Sequence, residues 1–346
     1  MLVNLARGLV CRNIDIDFVV GPKNPRYVDL LPSNINLVEL ESNSDESILE
    51  RSVAYIKKHR PDILLTSKPE NEELALKAKI LAQQPLQLVF RTATNVSALM
   101  KNRNAIKRWL YQKSLKKRYK HADIIITVSK GVADDIFNIT GIPHERIRVA
   151  HNPVVTPELK ELAKQPVTHP WFSPSAPSII IGIGRLGRAK NFSLLINAFA
   201  IVEKQIQCHL IILGEGRANN RLNNLIKYLN LTQKAQLLGY VNNPYAYLSR
   251  SSLFVLSSNW EGSPNVLIEA LTLGTPVVST DCESGPREIL QHGKIGKLVP
   301  INNIESMANA MITTLKSPTE TNRLIQATRN YTMENSAIEY SKILGI

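Results

Sequence analysis

Residues 253–281 read LFVLSSNWEGSPNVLIEALTLGTPVVSTD, and this stretch decides the fold. The pattern predicts a buried strand, a polar loop, a helix, a turn and a second buried strand. Other apolar strands alternate with helices in two series, over residues 14–150 and 179–279. Such alternation indicates parallel sheets, so the predicted fold class is α/β, with two doubly wound, Rossmann-like domains facing a ligand cleft.

The two predicted domains are separated by a proline-rich segment. Residues 166–178 hold four prolines, two of them beside Trp171 and Phe172. We therefore predict an N-terminal domain over residues 1–160, a linker over 161–178 and a C-terminal domain over 179–331.

Two carboxylates, Glu261 and Glu269, flank the start of the predicted helix in the deciding stretch. Ser263 suits the N-cap and Pro264 suits the first helical position. The free N–H groups of a helix start favour a phosphate, and Glu269, two turns further on, could accept hydrogen bonds from sugar hydroxyls. The combination suggests a nucleotide-sugar pocket.

The E-x7-E pattern from Glu261 to Glu269, with the residues up to Val278, resembles the family 4 retaining glycosyltransferases, which have the GT-B fold. The likeness continues through residues 284–290 and 293–300, read as SGPREIL and GKIGKLVP. It implies that 179–331 binds a nucleotide-sugar donor and that 1–160 lies on the acceptor side. It also implies that the last helix, at about 332–346, packs back on the N-terminal domain.

A glycine-rich loop offers a competing interpretation. Gly182, Gly184 and Gly187 match G-x-G-x-x-G after a strand, the fingerprint of dinucleotide-binding proteins. However, the acid expected about 20 residues later is missing, and Arg185 and Lys190 in the loop suit a diphosphate leaving group. An NAD-dependent oxidoreductase is therefore the less favoured reading.

The resemblance implies a role for each donor-site residue. Arg185 and Lys190 would stabilise the departing diphosphate, Glu261 would contact the donor sugar, and Glu269 would bind the ribose. The other implied donor-binding residues are Gly184, Gly214, Tyr240, Val241, Gly262, Ser263, Pro264, Asn265 and Val266. No cofactor and no metal ion is expected, since the two cations and the helix start neutralise the diphosphate.

On the acceptor side the indications are weaker. Many family members carry a histidine in the loop that follows the strand at 86–90, where this chain has Arg91 to Asn95. Arg91 and Asn95 could contact the acceptor, although an ordinary loop explains them equally well.

Members of the family usually open with a strand and a glycine-rich loop before a helix that corresponds to residues 2–10. The sequence begins inside that helix. We expect either a wrongly assigned start or truncated chain, which we favour, or a degenerate protein without activity. An absent central strand would leave unpaired backbone groups on its neighbours.

The net charge of +13 is concentrated in one segment: residues 101–120 carry nine Lys or Arg and no acid. Interleaved apolar residues suggest a helix on an anionic membrane, near a lipid-linked acceptor. The alternative is a solvated helix whose apolar stripe packs on the domain. No nucleic-acid-binding module surrounds the segment, so nucleic acid is not an expected partner.

Three scattered cysteines indicate neither disulfides nor a zinc site, and no signal peptide or membrane span is evident. We therefore expect a cytoplasmic protein, peripheral at the inner face of the plasma membrane. The predicted function is retaining transfer of a hexose or N-acetylhexosamine from a UDP-sugar to a glycan or lipid-linked acceptor in surface polysaccharide synthesis. A catalytically inactive, truncated binding protein is the alternative.

Overall fold

The computed structural model describes residues 1–21, 28–40, 47–101, 103–173 and 175–346. The chain divides into two compact units. The N-terminal unit comprises Met1–Pro153 with Met333–Ile346, and the C-terminal unit comprises Val154–Thr332. Parallel sheets flanked by helices form both units, so the predicted α/β fold class is confirmed.

The described strands of the N-terminal unit form two parallel sheets, one ordered β1-β2 and the other β3-β4-β5-β6. The strands are β1 (Asp17–Val20), β2 (Asn36–Glu39), β3 (Ile63–Thr66), β4 (Gln87–Thr92), β5 (Ile124–Thr127) and β6 (Ile147–Val149). The helices are α1 (Leu2–Val10), α2 (Ile48–His59), α3 (Pro69–Ala82), α4 (Val96–Met100), α5 (Ala105–Tyr119), α6 (Lys130–Thr140) and the final helix α15 (Met333–Leu344).

Helix α15 packs on α1, so the end of the chain completes the N-terminal unit. The two helices approach so closely that a Cβ on Gly8 would lie 2.8 Å from the Met333 carbonyl oxygen. Leu5 and Leu9 of α1 share a buried cluster with Tyr340 of α15. Burial of these apolar surfaces holds the helix in place.

The C-terminal unit is built on one parallel sheet of order β12-β11-β10-β7-β8-β9. Its strands are β7 (Ser178–Ile183), β8 (Cys208–Leu213), β9 (Ala235–Gly239), β10 (Leu253–Leu256), β11 (Val277–Thr280) and β12 (Lys297–Val299). Its helices are α7 (Pro157–Lys164), α8 (Phe192–Val202), α9 (Asn219–Tyr228), α10 (Pro244–Ser249), α11 (Asn265–Thr272), α12 (Pro286–Ile289), α13 (Ile304–Lys316) and α14 (Thr321–Gln326).

The central strands of this sheet have short, continuous apolar sequences because helices cover both faces of the sheet. Ile179–Ile181 of β7 are buried, as is the whole of β10. On one side α8 packs against α13, with Leu195 and Phe199 fully buried.

The unit boundary differs from the predicted one. The sequence predicts that the first domain extends to residue 160 and that 161–178 form a linker, whereas in the structure the C-terminal unit already begins at Val154. Helix α7 is the reason, because it packs on α10. Asn243 Nδ2 donates to the Leu162 carbonyl oxygen at 2.8 Å, and an Arg250 guanidinium nitrogen donates to that of Ala163 at 2.8 Å.

A buried polar network fixes the basic helix α5 to the N-terminal unit. Glu72 of α3 is only 2% exposed and accepts a 2.8 Å hydrogen bond from Arg118 Nε. The Tyr119 hydroxyl donates to Glu72 at 3.2 Å and lies 2.6 Å from the Thr92 hydroxyl. Burial raises the pKa of Glu72, while the Arg118 charge opposes that shift.

Replacement of Glu72 by Ala should destabilise the protein strongly, because the mostly buried Arg118 would lose its counter-charge. We expect a loss of about 3 kcal/mol in the free energy of unfolding. The matched control is Glu73→Ala, which breaks the exposed Glu73–Lys77 pair on the same helix and should leave the free energy of unfolding close to that of the unmodified protein. Urea unfolding followed by circular dichroism measures both. Equal losses would show that the Glu72 network does not anchor α5.

Candidate active site

The candidate site lies at the topological switch point of the C-terminal unit. The chain passes from β7 outward to β8 and β9, and then returns to the other side of β7 with β10. The loops that follow β7 and β10 therefore leave the sheet in opposite directions and open a crevice at the carboxyl ends of the strands. Ligands of open α/β sheets bind at this place.

An ion pair joins the two loops. Lys190, from the loop after β7, donates to Glu261 Oε1 at 2.6 Å, and both side chains are mostly buried. The hydroxyl of the fully buried Ser258 donates to the same oxygen at 2.6 Å. The structure thus brings together two of the three residues that the resemblance implies to be catalytic.

Backbone-directed hydrogen bonds hold the two loops against each other. The Asn259 N–H donates to the Ala189 carbonyl oxygen at 2.7 Å, and its side-chain amide donates to that of Arg188 at 2.7 Å. The Ser257 hydroxyl donates to the Lys190 carbonyl oxygen at 2.8 Å. The Lys190 backbone is therefore fixed from the opposite loop.

The third implied catalytic residue, Arg185, lies in the same loop as Lys190. Its side chain is exposed and forms no ion pair within the described part of the chain. The neighbouring backbone is fixed, because the Leu186 N–H donates to the Glu215 carbonyl oxygen at 2.8 Å. A Cβ on Gly214 would lie 2.0 Å from the Gly184 carbonyl oxygen, so these loops touch backbone to backbone.

Helix α11 begins one residue later than predicted. Pro264 takes the N-cap position and Asn265 is the first helical residue, so Ser263 lies before the cap and not at it. Pro264 offers no side-chain acceptor, and the first turn has no side-chain cap. In such a helix start a bound anion can take the place of the missing cap.

The loop that precedes α11 is supported from the segment after β11. The Ser284 hydroxyl donates to the Glu261 carbonyl oxygen at 2.7 Å. Gly285 has φ 88°, and a Cβ there would lie 2.8 Å from the Gly262 carbonyl oxygen and from Pro264 Cδ. Only glycine fits this contact without displacement of the loop.

Glu269 lies in the second turn of α11. Its side chain is half-buried, and its carboxylate has no hydrogen-bond partner among the described residues. Loss of surrounding water raises the pKa of Glu269 to about 7, while the positive charge of Lys190 acts in the opposite direction. An unpartnered carboxylate with a perturbed pKa is typical of a functional position. Of its neighbours, Val266 is buried and Asn265 half-buried.

Tyr240 and Val241 follow β9 directly. Tyr240 is exposed, and the turn is set by Gly239, whose φ is 75°. The Gly214 N–H donates to the Gly239 carbonyl oxygen at 2.7 Å, which ties this turn to the loop after β8.

The two residues expected on the acceptor side both have structural partners inside the N-terminal unit. Arg91 is buried and donates from Nε to the Tyr340 hydroxyl at 3.0 Å and from its terminal nitrogen to Asn152 Oδ1 at 2.5 Å. Asn95 is the buried N-cap of α4 and accepts from the Ala98 N–H at 2.9 Å. These bonds give both side chains a structural role within the N-terminal unit.

The glycine loop departs from the dinucleotide fingerprint. In that fingerprint the loop runs directly into a helix whose N-terminus meets the pyrophosphate. Here α8 begins only at Phe192, after Asn191 in a left-handed conformation (φ 45°). A Cβ on Gly187 would contact nothing closer than 4.0 Å, so packing does not require a glycine at the third position of the pattern.

Sequence reading missed the residues that support the ion pair, namely Ser257, Ser258, Asn259 and Ser284. A signal was present, because polar residues directly after a buried strand lie at the carboxyl edge of a parallel sheet. Across the described residues, no group of three or more His, Cys, Asp or Glu could hold a metal ion. Within the same residues, no helix has the length and apolarity needed to cross a bilayer.

Two family models match adjacent parts of the chain. Residues 168–331 match "Glycosyl transferases group 1", and residues 1–157 match "Glycosyltransferase Family 4". Between them the two matches cover most of both units.

Curated relatives carry related names. An uncharacterised glycosyltransferase of Methanocaldococcus jannaschii is 35% identical over 70% of this chain and 62% of its own length. The N-acetylgalactosamine-N,N'-diacetylbacillosaminyl-diphospho-undecaprenol 4-alpha-N-acetylgalactosaminyltransferase of Campylobacter jejuni is 35% identical over 61% of this chain and 55% of its own length. The matches thus span less than two thirds of both relatives.

Solved structures agree in fold. HepE of Anabaena in complex with UDP has a TM-score of 0.78 and 17% identity, over 99% of this chain and 94% of its own. The lipopolysaccharide outer core galactosyltransferase WaaB has a TM-score of 0.74 and 19% identity over the same shares. Both likenesses concern the fold alone. With a family model on each unit and this fold, the chain belongs to the group 1 and family 4 glycosyltransferases of GT-B type.

Proposed function

We propose that the protein transfers a hexose or N-acetylhexosamine from a UDP-sugar to a glycan or lipid-linked acceptor, with retention of the anomeric configuration. The observation that carries the proposal is the Lys190–Glu261 pair at the switch point of the C-terminal sheet, beside the uncapped start of α11. A cation, a carboxylate and helix N–H groups in one crevice suit a sugar diphosphate better than any other ligand class.

In this proposal Arg185 and Lys190 stabilise the departing diphosphate. Its negative charge grows as the bond to the sugar breaks, so fixed positive groups lower the barrier. The Lys190 backbone is held from the opposite loop, which limits the reorganisation that the reaction requires. The start of α11 supplies further N–H donors, and the reaction proceeds without a divalent metal ion.

The carboxylates recognise the sugars. Glu269 accepts hydrogen bonds from the ribose hydroxyls, and Glu261 contacts the donor sugar and stabilises the oxocarbenium-like state. Tyr240 and Val241 bind the base through their backbone groups. Retention by a front-face reaction needs no strong protein base, since the departing phosphate takes the acceptor proton.

The acceptor class rests on the relatives. The name of the Campylobacter protein specifies a diphospho-undecaprenol-linked acceptor. A further relative, 28% identical over 56% of this chain, is the lipopolysaccharide core biosynthesis glycosyltransferase LpsE of Rhizobium meliloti. We propose that this chain acts in the same kind of surface glycan assembly, on the cytoplasmic face of the membrane.

A second candidate is a binding protein that holds the nucleotide sugar and transfers nothing. The structural bonds of Arg91 and Asn95 favour it, because both residues expected to contact an acceptor already bond to other residues of the N-terminal unit. Binding of UDP-sugars without turnover, under every acceptor condition tried, would support this candidate over the transferase.

Replacement of Lys190 by Gln should weaken UDP binding at least about tenfold, because one charge-assisted bond to the diphosphate is lost. Calorimetry with UDP and a panel of UDP-hexoses and UDP-N-acetylhexosamines measures binding, and NMR of the released sugar gives rate and anomeric configuration. Lys234→Gln is the matched control, since Lys234 also pairs with a glutamate of this unit, Glu203. Binding of NADH with no response to any nucleotide sugar would overturn the proposal.

The raised pKa of Glu269 gives UDP binding a pH dependence. The carboxylate accepts ribose hydrogen bonds best when ionised, so affinity should rise as the pH passes upward through about 7. In Glu269→Gln this rise should disappear, while the ionisation of UDP itself is common to both proteins. Calorimetry at pH 6, 7 and 8 gives the comparison. An unchanged pH profile in the variant would exclude Glu269 as the titrating group.

The same shift has a stability consequence with a defined sign. Because the folded pKa of Glu269 lies above its ordinary value of 4.5, stability falls as the pH rises from about 4.5 to 7. Glu269→Gln removes this loss, so its Tm should equal or exceed that of the unmodified protein at pH 8.

We also propose that α5 attaches the protein to an anionic membrane. Ile106, Trp109 and Leu110 are 70%, 56% and 52% exposed, whereas Leu115 and Tyr119 are buried. At 100° per residue the three exposed side chains lie opposite the buried pair, on the face that also carries Lys113 and Lys117. A face with apolar groups among cations and without acids suits the interface of an anionic bilayer.

The triple variant Ile106→Ser, Trp109→Ser, Leu110→Ser should lose most binding to vesicles that contain phosphatidylglycerol, while its Tm stays close to that of the unmodified protein. Tyr228→Ser is the control, since it removes an 82% exposed aromatic residue from the C-terminal unit. Vesicle co-sedimentation at low salt measures binding, and added salt should weaken it. Equal binding by the triple variant, or no binding by the unmodified protein, would contradict the proposal.

A further inference from the structure

The ion pair in the candidate site has an uneven hydrogen-bond pattern. Lys190 and Ser258 both donate to Oε1 of Glu261, and Oε2 has no partner among the described residues. Lys190 is therefore already neutralised before a diphosphate arrives. A phosphate that binds Lys190 comes to lie beside an ionised carboxylate.

The carboxylate cannot easily move away from that phosphate. Ser258 is fully buried, and its carbonyl oxygen accepts from the Thr280 hydroxyl at 2.6 Å and from the Cys282 thiol at 3.2 Å. The carbonyl oxygen of Glu261 is held by Ser284. These bonds fix the Glu261 carboxylate beside Lys190.

The proposed reaction changes the charge next to this carboxylate. The bond from the anomeric carbon to the β-phosphate oxygen breaks, and its electron pair stays on that oxygen. The acceptor oxygen forms the new bond to carbon, and its proton passes through the departing phosphate to solvent. Since a terminal phosphate has a second pKa of about 6, the released UDP carries one more negative charge than the UDP-sugar at pH 8.

We propose that Glu261 discriminates between donor and product, so that its fixed charge repels UDP more than UDP-sugar and promotes product release; this rests on the proposed function. With the donor bound, the repulsion is offset by contacts of the carboxylate with the sugar. After transfer those contacts are gone and the repulsion is larger. Ser258 is the positioning residue that keeps the carboxylate beside the diphosphate.

The test is the affinity of Glu261→Gln for UDP and for UDP-glucose, measured by calorimetry at pH 8. The glutamine carbonyl oxygen can still accept from Lys190 and Ser258, so the geometry is kept while the charge is lost. We expect UDP to bind about fivefold more tightly and UDP-glucose no more tightly, together with slower turnover and stronger inhibition by UDP. Unchanged or weaker UDP binding by a folded variant would overturn the inference.

The matched control is Glu283→Gln, which removes an exposed carboxylate from the loop after β11. Its UDP affinity should equal that of the unmodified protein. An equal gain in affinity in both variants would show that the gain comes from the change in net charge alone, and it would overturn the inference. If Glu261→Gln does not fold, Glu261→Ala removes the same charge, together with the oxygen that accepts from Lys190 and Ser258. If the unmodified protein binds no UDP, the proposed function fails and the inference falls with it, whereas UDP binding without a gain in the variant rejects the inference alone.

Discussion

The place of β7 between β8 and β10 is the constraint on which the site depends. The chain enters the C-terminal sheet at its middle, builds outward on one side and then returns to build on the other. The first loops on the two sides must diverge, and the crevice between them is lined by whatever follows β7 and β10. Those segments supply Lys190 and Glu261. The position of the chemistry is thus a consequence of strand order, and the residues there decide only which ligand is bound.

Divergent loops need an internal support, and this unit supplies it with short polar side chains. Asn259 and Ser257 donate to backbone carbonyl groups of the opposite loop, and Ser258 donates to the Glu261 carboxylate of its own loop. Glycines permit the closest approaches, since Gly214 meets Gly184 and Gly285 meets Gly262 without an intervening Cβ. Lys190 and Glu261 are therefore held in place before any ligand binds. Preorganisation of this kind is what electrostatic catalysis requires.

The repeating apolar strands made the α/β class and most element positions predictable, because burial in a parallel sheet imposes a clear pattern. The strands β2 and β12 were not predicted. β2 is largely exposed and carries polar residues at both ends, and β12 has three residues, of which the first is an exposed lysine, so neither gives a clear apolar signal. The sequence was enough to select Lys190 and Glu261 as site residues, but it did not predict that their side chains are in direct contact. The buried position of Arg91 could not be predicted from the sequence for a different reason. The sequence places Arg91 in a loop, whereas it lies in β4. Its partner Tyr340 is 249 residues away, and nothing local reveals that this arginine will be buried by the last helix.

The last helix, α15, belongs to the N-terminal unit although it is synthesised after the C-terminal unit. Val154–Thr332 form a continuous unit, which leaves the ribosome with all its strands and can fold as it emerges. The N-terminal unit is discontinuous, because α15, which follows the second unit in sequence, covers α1 and gives Arg91 its phenolic partner. Until then Leu5, Leu9 and the guanidinium of Arg91 lack their final cover. Residues 1–153 are thus synthesised well before the helix that completes their unit, and the face that α15 later covers is the surface that a chaperone would protect while the second unit is made.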